Sequence, residues 1–310
     1  MRGERGFALV ITLIVTALLV ALLVEFVSEV YVDTYHSHNF VASQQAGILA
    51  ESGIAGGIQL LKASALLRQG QPYSSLLEPW AQPLSYDAGV GSVTISIEEE
   101  SGKLDLNTAT SQTGTPVLFY QEAALRLFKK LELSPDLYEA LADWADTDDT
   151  PRPGGAETSF YTTLKPSYLS HNDRLDTLEE LARVKGFDPL VLNKLKSCVT
   201  VYGTEKGVAL QAPININTAP RELLAALDER LLNNKLVDDI LEYRKAKVIK
   251  SLADVPGLEA YTQLTGKITF IGTIYRIRAE GKVGESVSVA EAVVTNLGAT
   301  KPTILYWREY

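Results

Sequence analysis

Between Asp143 and Glu157 the chain concentrates acidic residues: Asp143, Asp146, Asp148 and Asp149 fall within seven residues. The segment that follows, Thr150-Pro151-Arg152-Pro153-Gly154-Gly155-Ala156-Glu157, cannot continue a helix, so the carboxylates gather at a helix end and in the loop after it. Counted from Asp146 as position one, Asp148 stands at position three and Glu157 at position twelve, the ligand frame of a calcium-binding EF-hand loop. Thr150 at position five could add a hydroxyl or a carbonyl. Pro151 takes position six, where that loop needs glycine for its turn, so a true EF-hand is excluded. Hard oxygen donors without His or Cys suit Ca²⁺ rather than a transition metal. A solvated acidic loop capping a helix is the plain alternative, and spacing alone leaves both open.

Other chemistry finds less support. No Ser-His-Asp order, Gly-rich phosphate loop or paired-His motif stands out, so an enzyme is not expected. An anchored hydrolase using the acidic loop is the weaker reading. His36 and His38 lie two residues apart, whereas facing pairs on a helix need three or four, and His171 is distant, so zinc is not expected. Cys198, the single cysteine, cannot form an internal disulfide and falls in the apolar-periodic segment 190–201, where a core residue would. Val184-Lys185-Gly186-Phe187 and Val255-Pro256-Gly257-Leu258 each follow a short helix and look like helix-hairpin-helix turns. DNA-binding versions place a second glycine where Asp188 and Glu259 stand, and a carboxylate there repels phosphate. The net charge is −9, and removing Arg2, Glu4 and Arg5 (+1) leaves −10. Nucleic acid is therefore not an expected partner. A membrane-anchored, competence-type DNA receptor remains the runner-up.

These residues need elements to carry them. The charge-free run Phe7–Val24 has eighteen residues, close to the ~20 that cross a ~30 Å hydrocarbon core. The basic flank of Arg2 and Arg5 predicts a cytoplasmic N-terminus. A secretory signal has an apolar core of about 7–15 residues with a cleavage site after it. Here Gly6-Phe7 lies between the charges and the apolar run, where a prepilin peptidase cuts and leaves the helix on the mature chain. A plain signal anchor and a cleaved signal peptide are the alternatives. No proline occurs from residue 1 to 71, so one helix is predicted to about Gln69, some ~90 Å long. Ala46, Ala50, Gly53 and Gly57 form a stripe of small residues beside an apolar face of Ile54, Ile58, Leu61 and Ala65. Glycine costs ~1 kcal/mol in a helix, so the stripe calls for close approach of a sheet or another helix.

Prolines 72, 79 and 83 mark residues 70–90 as a loop. Val93, Ile95 and Ile97 alternate with polar residues as a half-buried strand does. Strands are also predicted over 268–278 and 287–295, joined by a hairpin-like connection at 280–285, and over 303–307. Between them, 3.6-residue periodicity predicts helices over 118–131, 135–144, 178–184, 189–199, 220–227 and 231–246. Ser134-Pro135, Thr177–Glu180 and Ser251–Asp254 read as helix starts. A weak repeat links Leu106-Asn107-Thr108-Ala109 with Ile216-Asn217-Thr218-Ala219, and 177–187 with 251–258. The predicted class is α+β: a leader (1–6), a long helix (7–69) on an antiparallel β part (70–108 plus 267–310), and an all-helical insertion (109–266).

Taken together, Arg5-Gly6-Phe7-Ala8-Leu9, Gly102-Lys103-Leu104-Asp105-Leu106-Asn107, Asp143-Trp144-Ala145-Asp146, Arg152–Glu157, Ile214–Pro220 and Ile304–Glu309 resemble the general secretion pathway protein K family, minor pseudopilins of bacterial type II secretion. The resemblance spans nearly the whole chain. It implies a pilin fold interrupted by a large helical domain, calcium in that domain, and a place at the pseudopilus tip beside two other minor pseudopilins. It also implies prepilin cleavage, N-methylation of Phe7, and an inner-membrane helix with the bulk of the chain in the periplasm. Calcium is carried onto Asp146, Asp148 and Glu157, with Asp143 and Asp149 behind them and Asn172 from the following loop. Some members have disulfides, which Cys198 alone cannot provide.

Overall fold

The computed structural model describes residues 4–113, 115–203, 211–232 and 235–310. Helix α1 runs Glu4–Leu67 without a break, as the absence of proline allows. Every residue from Phe7 to Val41 is exposed, and burial begins at Ala42. From there Ala46, Ala50, Gly53, Ile54, Gly57 and Leu61 turn onto a sheet. A Cβ on Gly53 would stand 2.6 Å from that of Ala279, and one on Gly57 2.7 Å from Ile277 Cγ2. The small-residue stripe therefore has the packing reason its composition called for. The adjoining face ends differently: Ser64 is buried and Ala65 exposed.

The sheet has the order β1-β2-β7-β8-β9, antiparallel throughout. Its strands are β1 (Leu84–Asp87), β2 (Ser92–Glu99), β7 (Tyr275–Val283), β8 (Ser286–Thr295) and β9 (Thr303–Glu309). β1 lies inside the predicted loop; it is a short edge strand with all four residues exposed, so no alternation marks it. The predicted strand 268–278 is two strands. β6 (Ile268–Thr269) pairs elsewhere, and the chain turns at Gly272, where a Cβ would meet Glu99 Oε1, before β7 begins. β7 then continues through the expected connection to Val283, because Glu280, Gly281 and Lys282 pair with Val289, Ser288 and Val287. The actual turn is Gly284-Glu285, with Gly284 at φ 57°.

The inserted domain holds the larger core, but it is not all helical. β3 (Leu104–Asp105) pairs in parallel with β4 (Val199–Thr200), and β5 (Ile214–Asn215) with β6. The helix predicted over 189–199 consequently stops at Leu195, because Val199 and Thr200 enter a ladder. Leu104, Leu106 and Ile268 pack in the helical core, which widens the domain beyond 109–266.

Two units emerge. The first is β3, α2 (Leu106–Ala109), α3 (Leu118–Lys130), α4 (Asp136–Ala145), α5 (Thr158–Tyr161), a 3₁₀ turn (Leu178–Arg183), α6 (Pro189–Leu195) and β4. The second is β5, α7 (Arg221–Ala226), α8 (Lys235–Ala246), 3₁₀ turns and β6. The predicted helix 231–246 includes 233–234, which lie outside the described residues. Asn107 Nδ2 donates to Leu175 O while Leu175 N donates to Asn107 Oδ1; Asn217 makes the same reciprocal pair with Ile249. Leu175 and Ile249 each stand two residues before the repeated segments at 177 and 251. The weak sequence repeat is thus a structural one. Of the expected helix starts, Ser251 forms a full capping box, Ser134 Oγ accepts from Asp136 N, and Thr177 makes no side-chain cap.

Candidate metal centre

Helix α4 positions the acidic loop. Its apolar face, Leu137, Tyr138, Leu141 and Trp144, is buried in the helical core, which brings Asp143 inside on the last turn. The chain leaves the helix at Asp146 in an extended conformation. It returns over α4 through Gly154, at φ 88°, and Gly155, where a Cβ would lie 2.0 Å from Asp143 Oδ2. Only glycine permits that approach. Lys185 Nζ, from the first hairpin, donates to Gly154 O (3.1 Å) and Gly155 O (2.9 Å) and holds the return strand.

The fold brings Asp146, Asp148 and Glu157 together: one oxygen of each lies within 4.8 Å of the others. Asp146 and Glu157 are each 1% exposed. Among the described residues, neither the Glu157 nor the Asp146 oxygens have a well-formed hydrogen bond. Burial, then repulsion from Asp143 and Asp146, pushes the Glu157 carboxyl up to about 7. Burial also raises Asp146, against the lowering effect of Arg152. Asn172 donates its backbone N–H to Trp144 O (2.9 Å), two residues before Asp146, and its Oδ1 is buried without a partner among the described residues. Buried carboxylates left unpaired and mutually close are costly unless a cation joins them. The donors are all oxygens, which fits Ca²⁺.

The other two expected ligands stand apart. Asp149 is exposed and outside the close group. Asp143 faces Arg152, whose Nη1 donates to Asp143 Oδ1 (2.5 Å) and whose backbone N donates to Oδ2 (3.1 Å). The same Nη1 lies 2.5 Å from Asp146 Oδ2. Arg152 and Lys185 stand inside the motifs Arg152–Glu157 and Val184–Phe187, but their contacts with the loop could not be read there, because both act across a loop closure. Thr150 contributes its backbone N–H to Asp148 Oδ1 (2.8 Å).

The hairpins have their own arrangement. Gly186 and Gly257 both take positive φ, 85° and 91°. Asp188 caps α6 by accepting from Val191 N, and Glu259 accepts from Gly257 N, each at 2.8 Å. Cys198 is buried in the helical core. At the other end, Gly6 lies in the first turn of α1 and Phe7 is exposed; residues 1–3 of the expected leader lie outside the described residues.

Comparison with known proteins agrees with the two-unit architecture. Family models described as type II secretion system protein K match residues 102–204 and 214–269, one for each unit. Type II secretion system protein K of Pseudomonas aeruginosa is 27% identical over 301 residues, 92% of this chain and 86% of that protein. The protein of the same name from Klebsiella pneumoniae is 30% identical over 206 residues, 63% of this chain and 61% of its own length. In fold, the chain is similar to a solved structure of the GspK–GspI–GspJ complex from the enterotoxigenic Escherichia coli type 2 secretion system. The TM-score is 0.69 at 19% identity, covering 90% of this chain and 99% of that one. With both units of the inserted domain matched and the pilin-like frame around them, the chain belongs to the type II secretion system protein K family.

Proposed function

We propose that this minor pseudopilin sits at the tip of the type II secretion pseudopilus, beside two other minor pseudopilins, and starts pseudopilus assembly. The observation that carries the reading is the division of α1. Residues 42–61 are packed on the sheet, whereas Phe7–Val41 is bare and largely apolar. An apolar helix of that length needs lipid or other helices around it. Before assembly it is held in the inner membrane as a single span, with the bulk of the chain in the periplasm. Prepilin peptidase cuts between Gly6 and Phe7, and Phe7 becomes the N-methylated first residue. The similarity to a chain from a GspK–GspI–GspJ complex supports the choice of partners.

Tip position follows from Ile11 and from bulk. Pilin-like proteins carry a glutamate at the fifth mature residue, which meets the N-terminal amine of the subunit above. Here that residue is Ile11, and Phe7–Val24 contains no carboxylate. The two-unit helical domain would clash with a subunit stacked over it. Calcium at Asp146, Asp148 and Glu157 stabilises that domain. Gold-labelled chain is expected once per filament, at one end, and labels along the shaft would sink the assignment. Mass spectrometry of the mature protein should find N-methylated Phe7 first; an intact N-terminus in cells with active prepilin peptidase would overturn the processing.

A further inference from the structure

Asp146 has two different oxygens. Both are buried without a well-formed hydrogen bond among the described residues, but Oδ2 is in ion-pair contact with Arg152 Nη1 at 2.5 Å and Oδ1 has no such contact. The acid group around it is more than a cluster of like charges, since Glu157, 1% exposed, directs an unpartnered carboxylate into the same 4.8 Å space. Asp143, Asp146, Asp148 and Glu157 bring four carboxyl groups to this end of α4, and Arg152 faces them with a single positive charge. Lys185 spends its bonds on the carbonyls of Gly154 and Gly155 rather than on a carboxylate. Besides Asp146, the Nη1 of Arg152 bonds to Asp143 Oδ1, its backbone N–H bonds to Asp143 Oδ2, and its Nε lies 4.0 Å from Glu139 Oε2. Its guanidinium keeps its charge at every physiological pH.

We infer that Arg152 is a resident counter-ion that shares Asp146 with the divalent cation, keeping the loop folded without the cation and holding cation affinity down. The inference rests on the calcium reading above. Two cations on one carboxylate repel each other, so the guanidinium weakens binding at the other oxygen. Four carboxylates with no cation repel more strongly still, so the guanidinium supports the loop when calcium is scarce. The residue thereby sets how much of the domain's stability depends on calcium.

The test uses the full chain in detergent, CaCl₂ titrations by calorimetry, and thermal melts in EDTA and in saturating calcium. Arg152→Gln should tighten calcium binding by about tenfold or more. It should also lower Tm in EDTA more than in calcium. Arg152→Lys, which keeps the charge, should stay near wild type in both measurements. Unchanged or weaker calcium binding by Arg152→Gln, or equal Tm losses in the two conditions, would overturn the counter-ion role and leave calcium binding intact. A wild-type chain that takes up no calcium would overturn the calcium reading itself, and this inference with it. If Arg152→Gln folds only in calcium, melts of Arg152→Lys in EDTA decide: a Lys variant as calcium-dependent as the Gln variant overturns the role of charge.

Discussion

Glu99 ends β2 and is 6% exposed, with Asn215 Nδ2 donating to both carboxylate oxygens at 2.9 and 3.0 Å. The same amide reaches Ser74 O, so one buried group ties the sheet, the linker after α1 and the second helical unit together. Burial pushes the Glu99 carboxyl up to about 8, with hydrogen bonds from Asn215 and Thr218 opposing the shift and Glu78 adding to it. A glutamate in the unfolded chain ionises near ~4.3. Between those values the folded state holds a proton that the unfolded state releases. Stability is therefore greatest below about pH 4.5 for this group and is lost as pH rises towards 8. Glu99→Gln mimics the protonated acid and should flatten that slope while raising stability at pH 8, measured by urea denaturation across the range. A Gln variant as pH-dependent as wild type would refute this account. At the acidic loop, a ligand at a hundredfold excess over Kd adds ~2.7 kcal/mol to the folded state. EDTA should accordingly lower Tm by about 5 °C, and Asp146→Ala with Glu157→Ala should abolish the response. An unchanged melting curve in both would return the loop to a solvated cap.

The elements show where backbone approach, not side-chain chemistry, sets the design. Gly53→Ala and Gly57→Ala gain helix propensity worth ~1 kcal/mol, yet each added methyl would overlap the sheet, at 2.6 Å from Ala279 and 2.7 Å from Ile277. Overpacking of this kind costs about 1–3 kcal/mol, so both should destabilise. Gly47→Ala, whose Cβ would meet only Ser288 Oγ at 3.9 Å, should instead stabilise by up to ~1 kcal/mol. Chemical denaturation of the three variants decides, and loss of stability in all of them would deny the sheet contact its role. Asn217→Ala removes both bonds to Ile249 and leaves buried backbone groups unpaired, a loss of about 1–3 kcal/mol. The glycine stripe was legible because its composition is expensive. The repeat was legible only as a faint echo, because Asn-Thr before a helix is also an ordinary cap.

For the whole molecule, the division of α1 fixes where a soluble fragment can begin. Ala50, Ile54 and Leu61 belong to the sheet core with Ile95, Ile277 and Ala279. A chain starting at residue 42 should remain folded and lose its need for detergent. One starting at residue 70, the sequence-based edge of the β part, should expose that core and melt without a cooperative transition for the sheet. Equal cooperativity in calorimetry of the two fragments would show that α1 is dispensable for the fold.

The sequence by itself determined the features set by local composition: an uninterrupted apolar helix, a β part with period-two alternation, a helical middle, and a carboxylate-rich loop at a helix end. Those depend on neighbours a few residues away. Only the tertiary structure decided which carboxylates meet. Asp146, Asp148 and Glu157 converge because Gly154 and Gly155 let the loop close on α4, whereas Asp143 is drawn to Arg152 and Asp149 stays in solvent. The same holds for the short parallel ladders that join Leu104 to Val199 and Ile214 to Ile268. Two-residue strands leave no periodic trace, and their pairing comes from core packing between segments far apart in the chain.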